Sequence, residues 1–557
     1  MQDLPSAIEV YPVHHLPIIK AYADQLGLVR SINHLVPTEM EVDAGTVVLG
    51  LVLDTLSGRS PLYRLEEFFA HQDTELLLGK TIPPHAFNDD TVGRVLDRLY
   101  AMGTMKIFTA CAVRAAIQFG LEQRYVHFDT TSCSVWGDYA FAETQDVPFS
   151  ITYGYSKDKR PDLKQCVLSM LCVDRAVPLW GKPEGGNASD KTLNATLLSE
   201  IAQVLARHGV APGAYIYIAD AALVTEDNLQ ALGHTLFITR LPATYSECGR
   251  VITDAVTEDQ WDQVGIVAQT KPTKHRRAAS YKVSERPVTL YGQQYRAVVV
   301  HSSSQDQRRQ QRFARELVAS ATTLAAAVSE ATKREYFCRA DAETAAEQVR
   351  ALQSRYHQVE VVIAECPTYG PGRPSPHKPR AVKAWRYKLK APLHERAEVI
   401  ARKAQEAGCF VLLTNVPAEG EMAQSAREIL LAYKAQHGVE QNFAFLKDPV
   451  IVNSLFLKKP ERIEALGLIL LLALLLWRLV ERTLRVHVET TGSTLTGWDK
   501  KATQKPTAFM LMTKFAAVIV LKVGCHRQLA QPLSAIQQAY LNALDVPATA
   551  FTVPSQG

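Results

Sequence analysis

The chain has 557 residues, of which 47% are hydrophobic and 21% charged; at that length one core gives way to roughly two to four structural units, and the composition excludes disorder as a general state. Its 61 basic and 57 acidic residues leave a net charge of only +4, so any polyanionic partner has to be argued from local clusters. Nine cysteines without a Cys-x-x-Cys pair exclude a disulfide framework and a cysteine zinc site, and are expected to be reduced packing residues.

The N-terminal Met1-Gln2-Asp3-Leu4-Pro5 has no basic segment followed by an apolar stretch, which points to a cytoplasmic chain rather than a secreted one. Residues 1–120 read as a helical domain, with Val92, Val95, Leu96 and Leu99 at helical spacing behind the candidate cap Asn88-Asp89-Asp90. From Arg124 the period changes. Strands are expected at Tyr125–Phe128, Gln165–Val173 and Val177–Trp180, the last two joined by a tight turn at Asp174-Arg175. A helix over Ser189–His208, a strand at Tyr215–Ala219, a helix at Thr225–Leu232 and a strand at Thr235–Thr239 complete an α/β stretch over 121–240. Residues 241–408 read as an inserted mixed α/β domain, with strands at Val288–Tyr291, Tyr295–Val300 and Val359–Ala364. Core character returns over 409–490, with a strand at Cys409–Asn415 and a helix from about Met422 to Phe445, and 491–557 is expected to be helical. Ala465–Trp477 is apolar but stops at Arg478, short of the roughly 18 residues of a membrane span, so a buried core helix is expected and no membrane partner.

Asp129 and Asp220 each follow an expected strand, at the strand ends where α/β sheets place their sites, although such residues also cap turns. Further on, Tyr433, Gln436, Glu440 and Lys447 fall within roughly 60° of one another at about 100° per residue, one polar helix face that a solvated surface would also explain.

The spacing of these four resembles the Tyr-(2)-Arg-(3)-Glu-(6)-Lys signature of a large group of bacterial insertion-sequence DDE transposases, with Gln436 where that group has Arg. Phe128-Asp129-Thr130-Thr131-Ser132 and the stretch Gly154–Gln165 are similar to members of the same group, and the resemblance spans roughly Arg124 to Arg485. It implies an RNase H-like mixed-sheet catalytic core interrupted by a large insertion. In that fold the first Asp lies on the first strand, the second after the fourth, and the Glu on a later helix. Asp129, Asp220 and Glu440 are then the catalytic and metal-binding triad of an enzyme that cleaves DNA at element ends and transfers strands into target DNA. The helical N-terminus would bind DNA ends or multimerise, and the end-paired complex would be a homodimer.

Three converging carboxylates repel one another unless cations lie between them, and hard oxygen donors favour Mg2+, with Mn2+ as substitute, two ions per site. Lys447 would meet a DNA phosphate, with a helix C-terminal cation as its alternative, and Tyr433 a terminal nucleotide, with packing as its rival. Gln436 lacks the charge of the expected Arg. Ser132, Cys133 and His127 do not make a nucleophile site, because nothing supplies an oriented base and oxyanion elbow.

The richest basic run is Arg373, Lys378, Arg380, Lys383, Arg386, Lys388 and Lys390, interleaved with Trp385 and Tyr387. With Lys271, Lys274, Arg276 and Arg277, and Arg308, Arg309, Arg312 and Arg315, it concentrates cations in the insertion, suited to DNA phosphates or to a solvated face. Lys383, Arg386, Lys388 and Lys390 are the expected contacts. The competing readings are another RNase H-like nuclease and an inactive, transposase-derived DNA-binding protein.

Overall fold

The computed structural model describes residues 8–58, 64–135, 149–157, 159–189, 198, 200–201, 203, 205–207, 209–211, 213–267, 278–303, 307–371, 380–447 and 459–555. They form two compact units, one from Met1–Thr239, Asn415–Ala423 and Leu431–Gly557, the other from Arg240–Thr414 and Gln424–Leu430. The expected helix over Ser189–His208 and the clusters at 271–277 and 373–378 lie wholly or largely outside the described residues.

The first unit opens with β1 (Ile8–Tyr11) and the helices α1 (Leu16–Leu26) and α2 (Leu28–Leu35), separated by Gly27 at φ 64°. Gly is the residue that enters this left-handed region without penalty, so the chain turns there and starts a new helix. Asp43 caps α3 (Ala44–Ser57) by accepting from Thr46 N. Asn88 caps α4 (Asp89–Met102) in the same way through Thr91 N, satisfying one of the amides a helix start leaves open. α5 (Thr104–Gln118) follows.

Asp129 and Asp220 belong to a run of five neighbouring strands in a larger mixed sheet. β2 (Tyr125–Val135) pairs antiparallel with β3 (Lys164–Val173), which pairs antiparallel with β4 (Val177–Glu184). On its other side β2 pairs parallel with β5 (Ile216–Ile218), and β5, through the helix α6 (Glu226–Leu232), pairs parallel with β6 (Leu236–Arg240). The order is thus β4-β3-β2-β5-β6. Two differences from the sequence reading stand out. Asp129 lies inside β2 rather than after it, because Thr130 to Val135 keep pairing with β3 as far as Val135 opposite Lys164. The β3–β4 turn takes three residues of positive φ, Asp174, Arg175 and Ala176.

One helix from Met422 to Phe445 was expected; the structure has Ala426–Ala435 and α7 (His437–Leu446), broken at Gln436. The amide of Gln436 bonds to the carbonyl of Tyr433, and that of Val439 to Gln436, tighter i to i−3 bonds in place of the α ladder. Behind the break, Gly438 packs so close to the β3–β4 turn that a Cβ would stand 2.7 Å from the Ala176 methyl.

The helix that holds the apolar stretch Ala465–Trp477 continues past Arg478: α8 runs from Pro460 to Thr491 and ends at Gly492, φ 65°. It is long and apolar enough to cross a membrane, but 89% of its most apolar window is buried inside the protein, the pattern of a helix that is hydrophobic all round because other elements surround it. α1, α3, α4, α5 and β4 all pack on it. The C-terminal stretch carries strand as well as helix: the hairpin Val520–Val523 and His526–Leu529 pairs with β1.

In the second unit Cys409–Thr414, Gln293–Ser302, Ser280–Leu290 and Asp262–Ile266 pair antiparallel in that order. A separate sheet of Glu335–Tyr336, Val382–Lys390 and Val362–Tyr369 packs on helices Gln307–Thr332 and Arg339–Ala351 through Leu389, Leu324, Val328, Ala346 and Val349. The strand expected over Val359–Ala364 is two, His357–Val359 and Val362–Tyr369.

Candidate active site

β2 and β5 run parallel with His127 opposite Ile218. Asp129, inside β2, and Asp220, two residues past the end of β5, each lie two positions beyond that pair, the last in the register. Both carboxylates bear on one group: the Tyr217 phenol is held far above its ordinary pKa, first by burial and then by the negative charges of Asp220 and Asp129. Asp129 accepts from the Thr130 amide at 2.7 Å. Asp220 caps the turn Ala221–Leu223, accepting from Ala222 N at 3.0 Å, while Thr239 donates its hydroxyl to the Asp220 carbonyl at 2.6 Å. Local backbone and the next strand therefore fix both acids.

Glu440 lies in the first turn of α7, which packs on β2 and β3. Its carboxylate is largely exposed and bonds Nδ1 of His437 at 2.8 Å. Gln436 is buried, and its amide donates to the carbonyl of Phe128, the residue before Asp129, at 3.3 Å. A phosphate contact by Gln436 would have to break that bond. Tyr433 and Lys447 are half-buried, Lys447 at the C-terminus of α7 and near the Cys166 thiol, whose pKa it lowers against the larger upward effects of Cys133 and burial. Because the helix breaks at Gln436, Tyr433 and Lys447 do not share one continuous helix face.

Among the described residues no three His, Cys, Asp or Glu side chains form a group able to hold a metal. Asp129 and Asp220 supply hard oxygen donors, which suits Mg2+ in kind. Glu440 would have to leave His437 to join them.

The role of Gly154–Gln165 was not readable from the residues. Lys157 donates its ammonium to the carbonyl and hydroxyl of Thr130 at 2.8 and 2.9 Å, and its amide to Ser132 Oγ at 2.8 Å. Gln165, almost fully buried, donates to the Tyr155 and Gly186 carbonyls. The stretch thus lays a cation against the strand residue next to Asp129; its density of polar residues was the available signal. His127, on the Asp129 face of β2, is buried with Nδ1 unpartnered, and burial lowers its pKa to about 4.

In the second unit, alternation puts Arg386, Lys388 and Lys390 on one face of their strand, while Lys383 falls at a bulge opposite Thr368 and Tyr369. Arg386 sits 3.6 Å over the Phe337 ring and Lys388 pairs with Glu335 at 2.8 Å. The cluster is partly neutralised from within.

Residues 8–113 match DUF4277, a domain of unknown function, which is found in transposase-like proteins. No curated protein matches the chain.

Proposed function

We propose that this protein is a DDE-type DNA transposase that cleaves insertion-element ends and joins them to target DNA, acting as a homodimer in the cytoplasm. The observation that carries the reading is the pair Asp129, on β2, and Asp220, two residues past the end of its parallel neighbour β5, in the strand order β4-β3-β2-β5-β6, with the helix of Glu440 packed on β2 and β3. That order, with one acid on the first sheet strand and one after the fourth, is what an RNase H-like core requires.

Asp129, Asp220 and Glu440 would hold two magnesium ions, or manganese in their place. When bound, these ions activate water or a 3′-hydroxyl for in-line attack and offset charge on the leaving oxygen. The protein's own part is orientation. Backbone amides hold Asp129 and Asp220 in place, Gln436 ties the start of α7 to β2, and Lys157 braces β2 through Thr130, the residue after Asp129. Lys447, Tyr433 and the cations Lys383, Arg386, Lys388 and Lys390 are proposed to contact DNA. Incubating the purified chain with Mg2+ and a duplex carrying its element's ends tests the reading: strand breaks at the ends and joined products are expected, and nicking without joining would favour another RNase H-like nuclease.

A further inference from the structure

The sequence draws attention to cations in the second unit, yet the first unit gathers a group of its own. A cleft of about 590 Å³ is lined by Arg30 and His34 of α2, Lys106 and Arg114 of α5, and Arg207. No acid lines it among the described residues, and none of the four permanent cations forms an ion pair with an acid there. Elsewhere in this unit arginines are matched: Arg462 with Asp97, Arg478 with Glu481, Arg482 with Asp174, Arg527 with Asp73. Gathering four unmatched cations around one concavity raises the self-repulsion of the fold, which a polyanion relieves.

The cleft is also built. Arg114 donates Nε to the Leu26 carbonyl at 3.0 Å, across the break between α1 and α2. At that break a Cβ on Gly27 would stand 2.5 Å from Arg114 Nη2, so the glycine gives the guanidinium its place. Ser31 on α2 lines the same cleft with its hydroxyl buried and unpartnered.

We infer that this cleft binds the sugar-phosphate backbone of duplex DNA, without reading sequence. Lys106 and Arg114 are eight residues apart on one helix, about 12 Å along its axis. One DNA strand places a charge about every 3.4 Å along the duplex axis, so the row spans about three phosphates, too long for a single free anion to satisfy. The choice of a duplex rests on the transposase reading above.

The test uses the full chain with Arg30→Gln, Lys106→Gln and Arg207→Gln combined, all exposed positions, and Arg114 left in its structural role. Binding of a labelled duplex is followed against salt, with thermal melting as the folding check. Losing three phosphate contacts should lower the slope of log affinity against log salt by about 2.7, so that the fall in affinity between about 50 and 200 mM salt shrinks roughly 40-fold. Asp129→Asn should keep the wild-type slope. An unchanged slope in the triple variant, with wild-type cleavage intact, overturns the cleft and leaves the catalytic reading standing. Binding of inorganic phosphate that the triple variant loses while duplex binding is unaltered overturns it in favour of a free-anion site, and a slope change with duplex RNA alone overturns it too. If the wild type binds no duplex the inference is likewise overturned, and cleavage assays on Asp129 then judge the catalytic reading by themselves.

Discussion

Gln436 donates its side-chain amide to the backbone carbonyl of Phe128 at 3.3 Å, tying the start of the helix that carries Glu440 to the strand that carries Asp129. The residue that departs from the transposase signature is therefore a tether inside the protein. Gln436→Ala leaves a buried carbonyl unsatisfied and should lower stability by about 1–3 kcal/mol. Chemical denaturation measures this. Cleavage should fall more than DNA affinity does, since the bond sets the position of α7 rather than touching a phosphate; equal losses in both would contradict the tether.

Asn442, six residues after Gln436, is fully buried. It accepts from Arg478 Nε at 2.5 Å and donates to the Ala176 carbonyl at 2.8 Å, and Arg478 in turn donates to Glu481 at 2.8 Å. Asn442→Leu keeps the volume but strands two buried polar partners, so a loss of roughly 2–5 kcal/mol is expected in urea unfolding. Asn442→Asp, which keeps the acceptor facing Arg478, should lose less. The opposite ranking would mean that the helix is held by apolar packing alone.

His15 is almost wholly buried, with Nε2 3.1 Å from the Leu56 carbonyl. Burial, the largest effect on it, lowers its pKa from 6.5 to about 4. Between those values the unfolded chain binds the extra proton and the folded one does not, so stability is complete above pH 6.5 and declines as pH falls towards 4, by on the order of 3 kcal/mol. His15→Gln should flatten that part of the melting profile. A profile of the same steepness in the variant would assign the dependence to other groups.

In the second unit, Lys388 is paired with Glu335. If its strand meets DNA, Glu335→Gln should tighten duplex binding several-fold and steepen its salt dependence by about 0.9. Neutralising Lys383, Arg386, Lys388 and Lys390 together should do the reverse. No change in either direction would make this a solvated sheet face.

Much of the core was legible because its signals are local. Gln165–Val173 and Cys409–Thr414 announce themselves as runs of apolar, strand-favouring residues, and Asn88 as a cap ahead of a helical pattern. What depends on tertiary partners was not legible. Arg478 looks like the end of an apolar helix until Asn442 and Glu481 are found around it. The break at Gln436 falls where its side chain bonds to Phe128, 308 positions away in the chain. The basic cleft draws Arg30, Lys106, Arg114 and Arg207 from distant positions, so no run of charge marks it, whereas the visible run at 383–390 is partly cancelled by Glu335. At the site, the two aspartates could be nominated from strand ends, but their relative placement came only with the register of β2 on β5.

The most direct test of the account is Mg2+-dependent cleavage of an element-end duplex by Asp129→Asn, Asp220→Asn and Glu440→Gln, with Glu464→Gln as control. Glu464 accepts a hydrogen bond from Thr104 at 2.5 Å and has no assigned part in the chemistry. The three triad variants should fold and bind the duplex, yet lose cleavage by several orders of magnitude, while Glu464→Gln cleaves at close to the wild-type rate. Substantial cleavage by Glu440→Gln, or by either Asp variant, would contradict the triad.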